Sequence, residues 1–299
     1  MIYDLAHTTI YDYSDVVSLS HHVIRLQPRE LPRQRRLQTA LEIDPAPGSA
    51  RAQRDYYGNE MSFITVEVAH KRLQVTATSR IEVLPAPVPE PDRSPAWETV
   101  REQLREEEPG TALAAGEFLY DSPHITVGPA FEQYARPSFP AGRPLLAGVL
   151  DLTARIHREF KFDPKATTVA TPLADVLKHR RGVCQDFAHL EIACLRSLGL
   201  AARYVSGYLE TDPPPGKPRL AGADASHAWL AVYCPVHGWV DVDPTNNLLP
   251  SQRHVTVGWG RDYGDVCPIR GVILGSGAHV LKVAVDVIPS HEPRFPFAA

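Results

Sequence analysis

The chain has 299 residues, 43% hydrophobic and 22% charged, with a formal net charge of -4. That length exceeds one average domain, and the composition is that of a globular protein able to bury a sizeable core. The balance lacks the basic excess of a phosphate-binding surface, and the short cluster Arg33, Arg35 and Arg36 does not outweigh the acidic remainder, so no nucleic-acid partner is expected.

The opening residues MIYDLAHTTIYDY carry charge and aromatics early, with no basic stretch leading into an apolar run. Neither a signal peptide nor a membrane span is read there, which gives a cytoplasmic protein without a membrane partner as the expectation. Residues 1–84 read as a β domain. YDLAHTTIYDY, SLSHHVIRLQP, LQTALEID, NEMSFITVEV and RLQVTATSRIEVL mix β-branched and aromatic residues with period-two alternation. DPAPGS and DYYGNE supply turn residues between antiparallel strands, and a sandwich-like arrangement is expected. His21 and His22 lie inside one strand with no second ligand pair at metal spacing, and read as surface or core histidines.

Residues 85–145 read as a proline-rich linker followed by a helical segment. PAPVPEPDRSP propagates neither helix nor central strand, and AWETVREQLREEE looks like a helix with a solvated face. The second domain is placed at 146–290, C-terminal strands included. LLAGVLDLTARIHREF has helical spacing, and TPLADVLKHRRGVCQDFAHLEIACLRSLGL divides at Gly182 into one helix over about 172–179 and another over about 183–198. On the latter, apolar residues face almost every direction, so that helix is expected at the centre of the domain. AARYVSGYLE, HAWLAVYC and GWVDVD then read as strands, giving an α+β fold with a helix packed on an antiparallel sheet.

The four cysteines, Cys184, Cys194, Cys234 and Cys267, form no CxxC pair and are read as thiols. Cys184 falls in the first turn of the central helix, where unpaired N–H groups and the positive end of the helix dipole favour a thiolate. The same N–H groups would face an oxygen gaining negative charge, so one helix end can serve as nucleophile mount and oxyanion hole. Arg180 and Arg181 add positive potential or are plain solvated charges. His227 begins one strand and Asp243 ends the next, with a turn near Pro235–Gly238. In a hairpin register where residue numbers sum to 472, His227 would oppose Thr245, with Asp243 its diagonal same-face neighbour about 7 Å away. Asp241 would stand one step further off. A carboxylate beside a histidine fixes its tautomer and stabilises the imidazolium after it takes the thiol proton.

Taken together and in order, GVCQDFAHL, RYVSGYL, SHAW and GWVDVDPTNN resemble the transglutaminase-like superfamily in its bacterial branch. The N-terminal β region and the stretch VGWGRDYGDVCPIRGVILGSG are similar to the corresponding parts of those proteins. The resemblance implies a papain-like or transglutaminase core and places nucleophile, histidine and aspartate on Cys184, His227 and Asp243. Gln185, Asp186 and His189 follow the nucleophile as candidates for oxyanion binding or support, against capping and packing. Tyr208, Trp229, Trp239, Arg261 and Asp262 are candidates to rim a substrate cleft, against roles in the core or an Arg261–Asp262 pair that fixes its loop. No cofactor and no metal are expected: Cys194, Cys234 and Cys267 are too irregularly spaced for zinc, and Gly275–Ser276–Gly277 reads as a turn.

A peptide or protein amide is the expected substrate. Cysteine-dependent cleavage through a thioester is preferred, acyl transfer from glutamine to an amine is the alternative, and a scaffold that keeps the fold without catalysis is the reading of another class.

Overall fold

Alternation along the first part of the chain folds into six strands, β1 (Ile2–Val17), β2 (Leu19–Ile24), β3 (Gln34–Asp44), β4 (Ser49–Arg54), β5 (Glu60–Val66) and β6 (His70–Val83). The structure, a computed structural model, describes residues 1–106, 115–211, 222 and 226–290. The last two strands of the chain, β13 (Ile269–Leu274) and β14 (His279–Pro289), complete the β domain. They form sheets of order β14-β1-β6-β3 and β13-β2-β5-β4, all antiparallel. Both sheets contribute to one core, including Tyr13, Val17 and Val75 from the first and Ile24, Ile64 and Ile269 from the second. The arrangement is a sandwich.

This corrects the placement of the C-terminal strands in the second domain. Chain neighbours usually pack together, but β1 and β2 here would otherwise be edges with unpaired N–H and C=O rows. β14 covers one from Tyr3↔Pro289 to Tyr13↔His279, and β13 covers the other from Ile24↔Ile269 to Leu19↔Leu274. The glycines at 275 and 277 sit between these two strands, as the turn reading expects. β4 has no counterpart among the expected strands. All six of its residues are exposed, and an edge strand with no buried face leaves no period-two apolar signal.

The segment after β6 is more than a connection. Helix α1 (Trp97–Arg105) buries Trp97, Val100 and Leu104, and helix α2 (Pro129–Ala135) buries Phe131 and Tyr134. These side chains join a single core with helix α3 (Leu145–Glu159), so α1 and α2 belong to the second domain. The end of the AWETVREQLREEE helix lies outside the described residues.

The short strands β7 (Lys161–Phe162) and β8 (Arg181–Gly182) pair in parallel, and helix α4 (Leu173–His179) ends just before β8. Helix α5 (Cys184–Ser197) follows. Every residue from Asp186 to Arg196 in it is buried, which accounts for its all-round apolar pattern. It packs on a sheet of order β11-β10-β9-β12, built from β9 (Ala202–Leu209), β10 (Ser226–Cys234), β11 (Gly238–Val242) and β12 (His254–Gly260). The short helix α6 (Tyr263–Val266) leads back to the sandwich. A third apolar cluster joins the halves: Tyr3, Leu5, Ile81 and Val83 meet Tyr208, Val255 and Val257. Among the described residues no helix is long and apolar enough to cross a membrane.

Candidate active site

Cys184 is the first residue of α5, with Val183 before it in extended backbone. The helix start is held by Asp186, whose Oδ2 accepts the Val183 N–H at 2.8 Å and the Thr167 hydroxyl at 2.6 Å. Burial raises the Asp186 carboxyl above its ordinary range, and these two hydrogen bonds oppose that. A Cβ at Gly182 would stand 2.5 Å from the same Oδ2, so the residue before this turn must be glycine. The positive end of the helix and its first N–H groups lie at the Cys184 position. Cys184 is partly buried and, like the other three cysteines, unpaired.

The hairpin of β10 and β11 pairs Leu230 with Val242 through Cys234 with Gly238, the register in which residue numbers sum to 472. Asp243 stands just past the end of β11 and begins the turn Asp243-Pro244-Thr245-Asn246. Its Oδ1 accepts the backbone N–H groups of Thr245 at 2.9 Å and Asn246 at 3.2 Å, an Asx turn that fixes the carboxylate on its own backbone. Its Oδ2 faces His227 Nε2 at 2.7 Å, takes the Asn246 side-chain amide at 2.8 Å, and meets His254 Nε2 at 3.1 Å. Asp243 is fully buried and His227 nearly so. Burial would raise the Asp243 carboxyl, yet the bonds from His227 and His254 hold it far below the usual range. His227 shows the converse. Burial pulls its ring down, but hydrogen bonds to Asp243 and Cys184 outweigh it and push the imidazole up to about 9. With Nε2 on Asp243, the nitrogen left for Cys184 is Nδ1. Cys184 on α5, His227 on β10 and Asp243 in the turn after β11 therefore converge, with His227 hydrogen-bonded to Asp243.

Of the other candidates, Gln185 is half-buried beside Cys184. His189 is turned into the core, where its Nε2 accepts the Tyr263 N–H at 3.1 Å and its ring packs on Tyr204 and His124. Burial holds it well below the ordinary histidine range, in the neutral form that such an acceptor requires. Tyr208 lies in the cluster between sandwich and core, with its hydroxyl 3.0 Å from His7 Nδ1, so it rims no cleft. Trp229 is fully buried, and it lines a cavity of about 450 Å³ together with Trp239, Trp259, Arg203, Asp241 and His254. Neither Cys184 nor His227 lines that cavity. Arg261 pairs with Asp265, both side-chain bonds being 2.9 Å, rather than with Asp262. Asp262 is fully buried and accepts the N–H groups of Gly264 and His124, each at 2.8 Å. The Arg196 guanidinium donates to the carbonyls of Ala202, Tyr120 and Arg261 and so clamps this loop to the far end of α5. Arg180 pairs with Glu159 at 2.8 Å over the rings of Tyr134 and Phe160.

Two neighbours of this trio were missed from sequence. Tyr204, on β9, is buried and feels Cys184: burial first, then the nearby thiol, raises its phenol far above the ordinary value. His254 contacts Asp243 only because β12 runs beside β9, a pairing that no local pattern announces. Among the described residues His227, Asp243 and His254 bring donor atoms within 4.8 Å of one another. Their separations of 2.7 and 3.1 Å are hydrogen-bond lengths. Ligands around a tetrahedral zinc with bonds of about 2.0–2.1 Å stand roughly 3.3 Å apart. The cluster is a hydrogen-bonded set.

Comparison with known proteins identifies the family. A family model for the bacterial transglutaminase-like N-terminal region matches residues 3–82, and one for the transglutaminase-like superfamily matches residues 133–244. An uncharacterized protein of Mycobacterium tuberculosis is 45% identical over 295 residues, covering 96% of this chain and 92% of that protein. A Pseudomonas aeruginosa protein named protein-glutamine gamma-glutamyltransferase is 32% identical over 109 residues, which is 34% of this chain and 16% of that one. A crystal structure from Cytophaga hutchinsonii, described provisionally as a cysteine protease, superposes with a TM-score of 0.72 at 19% identity. It covers 100% of this chain and 94% of that one, a likeness of fold. By sequence and by fold the chain belongs to the transglutaminase-like superfamily, with the bacterial N-terminal region ahead of the core.

Proposed function

We propose that the protein cleaves an amide bond through a thioester on Cys184, with His227 as proton carrier and Asp243 as its orienting carboxylate. The observation that carries this is the 2.7 Å contact of His227 Nε2 with buried Asp243, while Cys184, at the start of α5, is among the groups that raise the same ring. The Cys184 sulfur attacks the carbonyl carbon, and the oxygen's charge faces the N–H groups of the helix start. The C–N bond breaks as the His227 imidazolium gives its proton to the departing amine. Neutral His227 then takes a proton from water, which attacks the thioester and releases the acid and the thiol group.

An amine can replace water in the second half, making the protein an acyl transferase. The match to the Pseudomonas aeruginosa protein over part of the core, and the name that protein bears, favour keeping this second reading. Single-turnover mass spectrometry with glutamine peptides, peptide amides and amine acceptors decides between them. The expected result is an acyl adduct on Cys184 that is absent in Cys184→Ala and resolves to acid in water. Resolution mainly to the amine conjugate would favour transfer, and an adduct that forms equally in Cys184→Ala would sink both readings.

A further inference from the structure

β12 ties the site to the rest of the molecule. Its first residue, His254, puts Nε2 3.1 Å from Asp243 Oδ2, the same oxygen that His227 Nε2 meets at 2.7 Å. Two residues on, Thr256 is gripped from the sandwich. Its N–H donates to Gln34 Oε1 and its carbonyl accepts from Gln34 Nε2, both at 2.7 Å, and the same carbonyl takes the Arg29 N–H at 3.1 Å. His254 is only 6% exposed and stands edge-on to Trp229, with ring centroids 5.2 Å apart and planes at 84°. An ionised carboxylate only accepts, so His254 donates from Nε2. No described residue bonds its Nδ1.

We propose that His254 is a positioning residue: its Nε2–H turns the Asp243 carboxylate toward His227 and shares that oxygen's charge, so that the sandwich, acting through Gln34 and β12, sets the Cys184–His227 pair. The inference rests on the reading of Cys184, His227 and Asp243 as the reacting residues. Oδ2 bears three donors, of which one, the Asn246 amide, comes from an exposed side chain. Without His254 the buried carboxylate would lose a donor and its charge would fall more fully on His227, which would then hold its proton harder. The other ionisable groups facing this point are Cys184 and Glu191 from α5 and Asp241 from β11. None of these hydrogen-bonds Asp243: its side-chain donors are His227, Asn246 and His254, and Glu191 is bonded to Thr153 instead.

The test uses the full chain and p-nitrophenyl acetate, which acetylates a reactive thiol whatever the natural substrate. Deacylation of acetyl-Cys184 needs neutral His227, so its rate against pH reports that ring. His254→Gln keeps an N–H donor at the Nε2 position, His254→Leu removes it, and His254→Asn is polar but too short to reach. Deacylation at pH 7 is expected to fall about tenfold in the Leu and Asn variants and to stay within about threefold of wild type in the Gln variant. The midpoint of the profile should move to higher pH in the first two only. Wild-type rates and midpoints in all three variants would overturn the proposal, and so would equal losses in Gln and Leu. If the wild type itself forms no adduct on Cys184, the catalytic reading falls and this inference with it, a failure visible before any His254 variant is made.

Discussion

Asp243 is the most heavily engaged side chain of the site. Five donors reach one carboxylate, two from its own turn and three from side chains. Asp243→Asn would put an amide where only acceptors fit and would favour the wrong tautomer of His227. The expected loss in kcat/KM, measured on the substrate that labels Cys184, is about a thousandfold or more, with little change in fold. Under the proposed mechanism His227 sets the pH range: its pKa is raised to about 9, so kcat/KM should show a falling limb near that pH, where the imidazolium proposed to protonate the leaving amine is lost. The same shift adds stability that is complete below about pH 6.5 and fades as the pH rises through about 9. Glu191 behaves alike for another reason. It is wholly buried beneath the site, bonded at Oε1 to the Thr153 hydroxyl at 2.7 Å, and burial pushes its carboxyl up to about 8. Its contribution is full below the ordinary carboxyl pKa and is lost as the pH climbs through about 8. Glu191→Gln keeps the Thr153 bond, and should be about 2 kcal/mol more stable than wild type at pH 8 by chemical denaturation, with no gain at pH 4.

At the scale of elements, the hairpin carrying His227 and Asp243 was legible. The sequence leaves its register open between alternatives one residue apart, and the observed pairs, Leu230↔Val242 to Cys234↔Gly238, are those of the register summing to 472. The start of α5 at Cys184 was equally legible, since Gly182 breaks one helix from the next. β12 was not. Its residues His254–Gly260 alternate at Val255, Val257 and Trp259, but Gly258 and Gly260 weaken the strand signal, and its register shifts between Thr256 and Gly258. With β12 unseen, His254 has no route to Asp243, and the sequence leaves Trp229 and Trp239 between core and cleft rim; Trp229 is fully buried in a cluster against which Trp239 packs. The sheet is exacting at Gly207, opposite His227: an added Cβ would stand 2.2 Å from the Val255 carbonyl oxygen and 2.4 Å from Trp229. Gly207→Ala should therefore destabilise the protein by about 2–4 kcal/mol, read as a shift of the denaturation midpoint, and should lower Cys184 labelling as β10 and β12 part.

Across the whole molecule, the cysteines divide by depth. Cys194 and Cys234 are fully buried, and burial raises the Cys194 thiol far above its ordinary value, whereas Cys184 is partly open. Native protein treated with iodoacetamide should label Cys184 at least about tenfold faster than either buried thiol, and the difference should vanish in denaturant. The sandwich depends on both ends of the chain. Removing β13 and β14 would bare β1 and β2 and expose Val285, Val287 and Ile288 partners, so a chain cut after Pro268 should express mainly as aggregate, scored by the soluble fraction.

Because the chain leaves the sandwich after Val83 and re-enters it at Ile269, the core is an insert with two covalent crossings rather than a bead on a string. An insert pinned at two points can swing only about the line joining them, while a module on one linker is free in three rotations. The Gln34 clasp on β12 sits beside the first crossing, where Gln34 pairs with Val83, and the apolar cluster shared by Tyr3 and Leu5 with Tyr208 and Val257 checks the remaining swing. Any partner that pries the sandwich from the core must therefore work against the same strand that ends at the carboxylate, so force applied at one domain is delivered as a displacement at the other.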